Sequence, residues 1–207
     1  MKRALIIFFI AFQLLSAANY NSMGKVKRIN SIDLRMTDYG SSMGGMMQWR
    51  LLDNLHAGIQ ANWTFVSSGK EYTMTITDPV YLNTYTVKLN TIHLDFVKAG
   101  LFVKKHFFTR QLANTFAPFI SVQAGPILAI DTDNDPWATI SRYQDAKYYL
   151  GFYSHFHFGI DFMMEKRSSL TVALGYEINS FKQAVDEVFL KTSWNGAAII
   201  MNYGKYF

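Results

Sequence analysis

The chain has 207 residues, enough for one domain with a sizeable interior, and half of them are hydrophobic. Only 17% are charged against about a quarter in an ordinary soluble domain, so much of the surface is expected to lie out of water. The absence of cysteine excludes disulfides, thiolate metal sites and cysteine nucleophiles, and a net charge of +5 without long basic runs does not point to nucleic acid.

The first residues pattern as a secretory signal. Lys2 and Arg3 precede the apolar run ALIIFFIAFQLL, which is short for a membrane span, and Ser16 and Ala18 occupy the small positions of a cleavage site. Residues 1–18 are therefore expected to be a signal peptide, and residues 19–207 a single β-barrel domain with no cofactor.

Beyond it, apolar and polar residues alternate with a period of two in segment after segment, the pattern of strands with one apolar face. The first strand carries Ile32, Leu34 and Met36 against Asp33 and Arg35. After the breaker-rich stretch DYGSSMGG, the second sets Met47, Trp49 and Leu51 against Gln48 and Arg50. A turn at residues 53 and 54 leads to the third, where Ile59, Ala61, Trp63 and Phe65 alternate with His56, Gln60 and Asn62. The fourth is expected from about Tyr85 to Phe107. There Leu94 and Phe96 share a row opposite His93 and Asp95, and the apolar phase then moves to Val97, Ala99 and Leu101 opposite Lys98, a change that predicts a β-bulge.

The fifth strand, Pro118 to Ile130, opposes Ile120 and Val122 to Ser121 and Gln123. The sixth, YYLGFYSHFHFGIDFMM, has an aromatic row that includes Phe156 and Phe158, and a polar row with His155, His157 and Asp161. The seventh, from Ser169 to Asn179, sets Leu174, Tyr176 and Ile178 against Glu177, and the eighth runs from about Thr192 to Phe207. Short connections alternate with longer polar ones at residues 67–84, 131–147 and 180–191, as in a transmembrane barrel.

Periodicity alone does not say which row faces outward. The polar rows are poor in lysine and glutamate but hold Gly58, Gly100, Gly125, Gly151, Gly159 and Gly175, which suits a crowded bore better than a wetted surface. The other rows carry Trp49, Trp63, Phe156, Phe158 and Phe162, too bulky together for the inside of a small barrel. The expected fold is an all-β, eight-stranded antiparallel transmembrane barrel.

The chain from about Ser31 resembles the small OmpA/OmpX-type outer-membrane β-barrels of Gram-negative bacteria. The resemblance is carried by WRLLDNLHAGI at 49–59, APFISVQAGP at 117–126 and the ending IIMNYGKYF. It implies an outer-membrane location with lipid and lipopolysaccharide as surroundings. It also implies that Ile199, Met201, Tyr203 and Phe207 form the signal read by the barrel-assembly machinery, with periplasmic chaperones as further biogenesis partners. Lys205 departs from that signal's alternation.

The expected interior comprises Asp33, Arg35, Arg50, His56, Gln60, His93, Asp95, Lys98, Gln123, His155, His157, Asp161 and Glu177. Its acids and bases nearly balance, which favours an ion-pair plug over an open pore. His155 and His157 could meet a ligand from one face, but filling of the lumen is the simpler reading, and no metal site is expected. Ser154 lies on the opposite face from His155, so the two do not form a nucleophile and base. Asp131, Asp133 and Asp135 begin like a calcium loop, yet Pro136 and Arg142 replace its glycine and glutamate. The expected role is non-enzymatic, structural or in surface interaction through the three long loops. A lipid A-modifying hydrolase or acyltransferase and a soluble lipocalin-like binding barrel are the alternatives.

Overall fold

The computed structural model describes residues 27–52, 54–66, 72–77, 84–89, 94–107, 116–132, 143, 146–164, 167–185 and 191–207. Residues 1–18, expected to form a signal peptide, and His93 lie outside these ranges. Ten strands run in chain order: β1 (Arg28–Thr37), β2 (Gly40–Leu52), β3 (Leu55–Val66), β4 (Tyr72–Thr77), β5 (Thr84–Leu89), β6 (Leu94–His106), β7 (Phe116–Asp131), β8 (Lys147–Met164), β9 (Ser168–Phe181) and β10 (Ser193–Tyr206). Eight of them, all but β4 and β5, close into one antiparallel barrel through the β1–β10 pairing. Closure leaves no strand edge among the eight, the condition for placing backbone in a medium that offers it no hydrogen bonds.

Once around the wall, direct pairing leads from Asp161 through Thr171, Asn202, Asp33, Gly44, Asn62, Lys98 and Ile127. The path returns to β8 at Gly151, ten residues from its start. With ~3.3 Å per residue and ~4.8 Å between strands, that stagger tilts eight strands by about 40°. The bore of such a barrel is just wide enough for side chains.

The two rows face as their chemistry requires. Trp63 is 41% exposed, Phe156 52%, Phe158 59% and Leu150 71%, all on the outer wall, whereas the alternate row of every strand turns inward. A barrel with an oily interior and a wetted coat, the lipocalin-like alternative, is therefore excluded.

Three local expectations are corrected. The fourth barrel strand begins at Leu94, because Thr84–Leu89 pairs with Tyr72–Thr77 in a separate two-stranded hairpin. Pairing of β3 with β6 is continuous from Leu55↔Lys105 to Val66↔Leu94, so no bulge sits at Phe96. Instead Leu94 and Phe96 are inward residues of an apolar cluster at one mouth, which is why their phase differs from that of Val97 and Leu101. The irregularity lies in β2, between Arg50 and Leu52. Finally, only Asp38 and Tyr39 of DYGSSMGG form a turn, and Gly40–Gly45 opens β2.

Crowding explains the inward glycines. A Cβ at Gly100 would collide with the Ala124 carbonyl oxygen and stand 2.5 Å from the Tyr153 hydroxyl, and one at Gly175 would stand 2.6 Å from His155 Nε2. Gly100→Val is expected to destabilise the folded barrel by about 1–3 kcal/mol. Urea unfolding of wild type and variant in the same detergent would measure this, and equal midpoints would contradict tight packing at that level.

Candidate functional site

The inward rows assemble a polar column between two apolar ends. At the loop mouth, the Asp38–Tyr39 turn drops the Tyr39 side chain into the barrel. Its ring lies 6.0 Å from Phe96 and 6.4 Å from Trp194, and Phe96 lies 5.6 Å from Phe181. These rings, with Leu94, Val66 and Ile127, form the apolar cap. Burial, and then the nearby Glu177 carboxylate, push the Tyr39 phenol above its ordinary pKa. It stays protonated and accepts hydrogen bonds from Lys98 Nζ at 3.1 Å and Asn179 Nδ2 at 2.9 Å.

Below the cap lies the first ionic layer. Lys98 from β6 pairs with Glu177 from β9 across the bore, and both are almost wholly buried. Arg35 donates from Nε to Asp33 Oδ2 at 2.6 Å, from Nη2 to Gln123 Oε1 at 3.1 Å, and from Nη1 to His155 Nδ1 at 2.9 Å. An arginine only donates, so His155 Nδ1 is the acceptor, and a neutral ring then carries its proton on Nε2. Gln60 and Asn62 also donate to Asp33 Oδ2. With its amide nitrogen turned inward, Asn202 donates to Asp33 Oδ1. Asp33 is thus held by one cation and three amides.

The second layer centres on Asp161. It accepts from Lys104 Nζ at 3.0 and 3.2 Å, from His106 Nε2 at 2.7 Å and from Thr171 Oγ1 at 2.5 Å. Lys104 Nζ also stands 4.1 Å from the centre of the Phe119 ring, a cation–π contact in a dry setting. The imidazoles pack as aromatic rings: His56 lies 5.0 Å from His106, and His155 lies 4.8 Å from His157. Neither ring nitrogen of His56 has a hydrogen-bond partner. Among the described residues no three His, Asp or Glu side chains converge as metal ligands would.

Ten of the sequence-selected residues come together inside, each at most 7% exposed: Asp33, Arg35, His56, Gln60, Lys98, Gln123, His155, His157, Asp161 and Glu177. Arg50 is half-buried at the far end of the inward row, paired in register with His56. Asp95 is placed differently from its expected lumen position. It pairs with outward-facing Phe65, is buried, and accepts a hydrogen bond at Oδ2 from the Tyr143 hydroxyl at 3.2 Å. Ile199, Met201, Tyr203 and Phe207 project from the outer wall, as Lys205 does.

Sequence reasoning missed Lys104 and His106. Both continue the alternation begun at Lys98, but Phe102, which precedes them in the row, disguises it. Tyr39 carried no signal, since its burial depends on how a two-residue turn folds over the bore.

No family model matches the chain, and no curated protein does. Among solved structures it is similar to Neisserial surface protein A, with TM-score 0.55 and 8% identity over 88% of this chain and 96% of that one. It folds as an eight-stranded transmembrane β-barrel. Two others are the N-terminal β-barrel domain of Pseudomonas aeruginosa OprF (TM-score 0.47, 9% identity, 86% of this chain and 96% of that one) and the Yersinia pestis attachment invasion locus protein Ail (0.40, 9%, 87% and 95%). The likeness to small outer-membrane barrels holds at the level of fold.

Removing one member of the Asp161 layer strands a buried charge. Asp161→Asn is expected to cost about 3–5 kcal/mol, while Lys104→Met combined with Asp161→Leu should cost less than the two single changes added together. Unfolding midpoints of the four proteins give the coupling, and strict additivity would mean that the pair does not interact.

Proposed function

We propose that this chain is an integral outer-membrane protein without enzymatic activity, serving envelope structure or surface interaction through its loops. The observation that carries the reading is the pairing of a continuous apolar outer wall with a lumen closed by its own charges. An oily coat suits lipid and not water. A bore in which Lys98, Arg35 and Lys104 each meet a carboxylate holds no free run of charges to conduct ions or select a solute.

Orientation follows from the connections. The end bearing Asn54 and Arg167 carries short turns and faces the periplasm, while β3, β7 and β9 end at the opposite rim, where the longer connections begin and which faces lipopolysaccharide or a surface ligand. During biogenesis the outward row Ile199, Met201, Tyr203 and Phe207 is the segment offered to the assembly machinery and its chaperones. Chemistry is disfavoured by geometry: Ser154 belongs to the outward row and His155 to the inward one, with Ser154 paired to Ala124 and His155 to Gln123.

Three measurements test this. The protein should fractionate with outer membranes, resist carbonate extraction and migrate differently on gels before and after heating. Purified barrel in planar bilayers should give no steady conductance, and a large stable one would refute the plugged lumen. Lipid A mass spectra should be the same with and without the protein, since a mass shift would reveal an enzyme.

A further inference from the structure

The outer wall carries a depression among the described residues. A groove of about 960 Å³ crosses β10, β1, β2, β3 and β6. Its floor is Gly45, Ala61 and Ala99, three outward residues directly paired from strand to strand, and Ile32, Met47 and Leu101 rise around them. Steric need explains the inward glycines but not Gly45. A Cβ added there would approach nothing nearer than the Ser31 carbonyl oxygen, at 3.9 Å. The wall lacks a side chain where it has room for one.

The groove also has a polar end. Toward the short-turn rim it is lined by Lys205 and Asn30, paired in register, and Arg28 donates from Nε to Asn30 Oδ1 at 2.9 Å. The Phe207 main-chain oxygen beside them accepts from the Lys27 and Arg28 backbone N–H groups. Trp49, paired with Arg28, adds an amphipathic ring at the same level. Among the described residues, every carboxylate side chain lies inside the barrel or at the opposite, loop end. An apolar channel leading to outward cations matches an amphiphile with an oily tail and an anionic head.

We propose that this groove binds one anionic glycerophospholipid of the leaflet at the short-turn rim. An acyl chain lies over Gly45, Ala61 and Ala99, and the phosphate is held by Lys205 and Arg28. The inference rests on the membrane reading above. Contact with a preformed recess raises tail burial beyond that of bulk lipid, and the two cations supply head-group preference.

The test uses the full chain refolded into vesicles of phosphatidylethanolamine with phosphatidylglycerol, extracted gently and weighed by native mass spectrometry. Wild type should retain one phosphatidylglycerol in preference to phosphatidylethanolamine. Gly45→Phe, or Ala61→Leu should the first variant fold poorly, is expected to lower retention about tenfold while keeping heat-modifiable mobility. Arg28→Gln and Lys205→Gln should each reduce the preference for phosphatidylglycerol about fivefold. Equal retention by wild type and the filled-groove variants overturns the proposal. So does a wild-type dimer that Gly45→Phe dissociates, since the occupant would then be a second copy. A wild-type chain that fails to insert into vesicles at all overturns the membrane reading along with it.

Discussion

A closed eight-stranded wall with lipid outside has one unavoidable problem: the polar half of every strand must be satisfied within a bore barely wider than the side chains that fill it. Backbone hydrogen bonds are satisfied by closure, but side-chain charges are not, and an isolated ion in that space would be prohibitively expensive. The ion pairs of the lumen answer this demand. The carboxylates of Asp161 and Glu177 are met from another strand by Lys104 and Lys98, that of Asp33 is met by Arg35 of its own strand, and amides or a hydroxyl complete the shells of Asp33 and Asp161. Glycine appears where a methyl group would displace a layer.

The column is sealed by apolar contact at its loop mouth. Tyr39 joins the two regimes, since its ring packs on Phe96 and Trp194 while its oxygen accepts from Lys98 and Asn179. A side chain with an oily body and a polar tip is suited to such a boundary. The cap shields the uppermost ion pair from water, which strengthens the Lys98–Glu177 attraction and raises the cost of separating it.

Much of this was legible in the sequence because a strand's period of two maps directly onto inside and outside. His155, His157 and Asp161 share a row, and once the opposite row was assigned to lipid by its aromatic bulk their burial followed. The same rule broke down where the inner lining stopped being polar. Leu94 and Phe96 face inward at the cap, so the apparent change of phase was a change of environment rather than a bulge, and it misplaced Asp95. Phe102 interrupted the row that carries Lys104 and His106. Tyr85 was drawn into a barrel strand because the sequence of the separate β4–β5 hairpin alternates as the wall does. Which residues meet across the bore depends on the ten-residue stagger, and no local pattern encodes that number.

The pairs that fill the bore are distant along the chain. Lys98 and Glu177 sit on β6 and β9, while Arg35 on β1 reaches His155 on β8. Both contacts cross the bore and depend on the curvature of the wall, so a flat, unclosed sheet would carry these ions hydrated. Curling of the wall and dehydration of these pairs are therefore coupled.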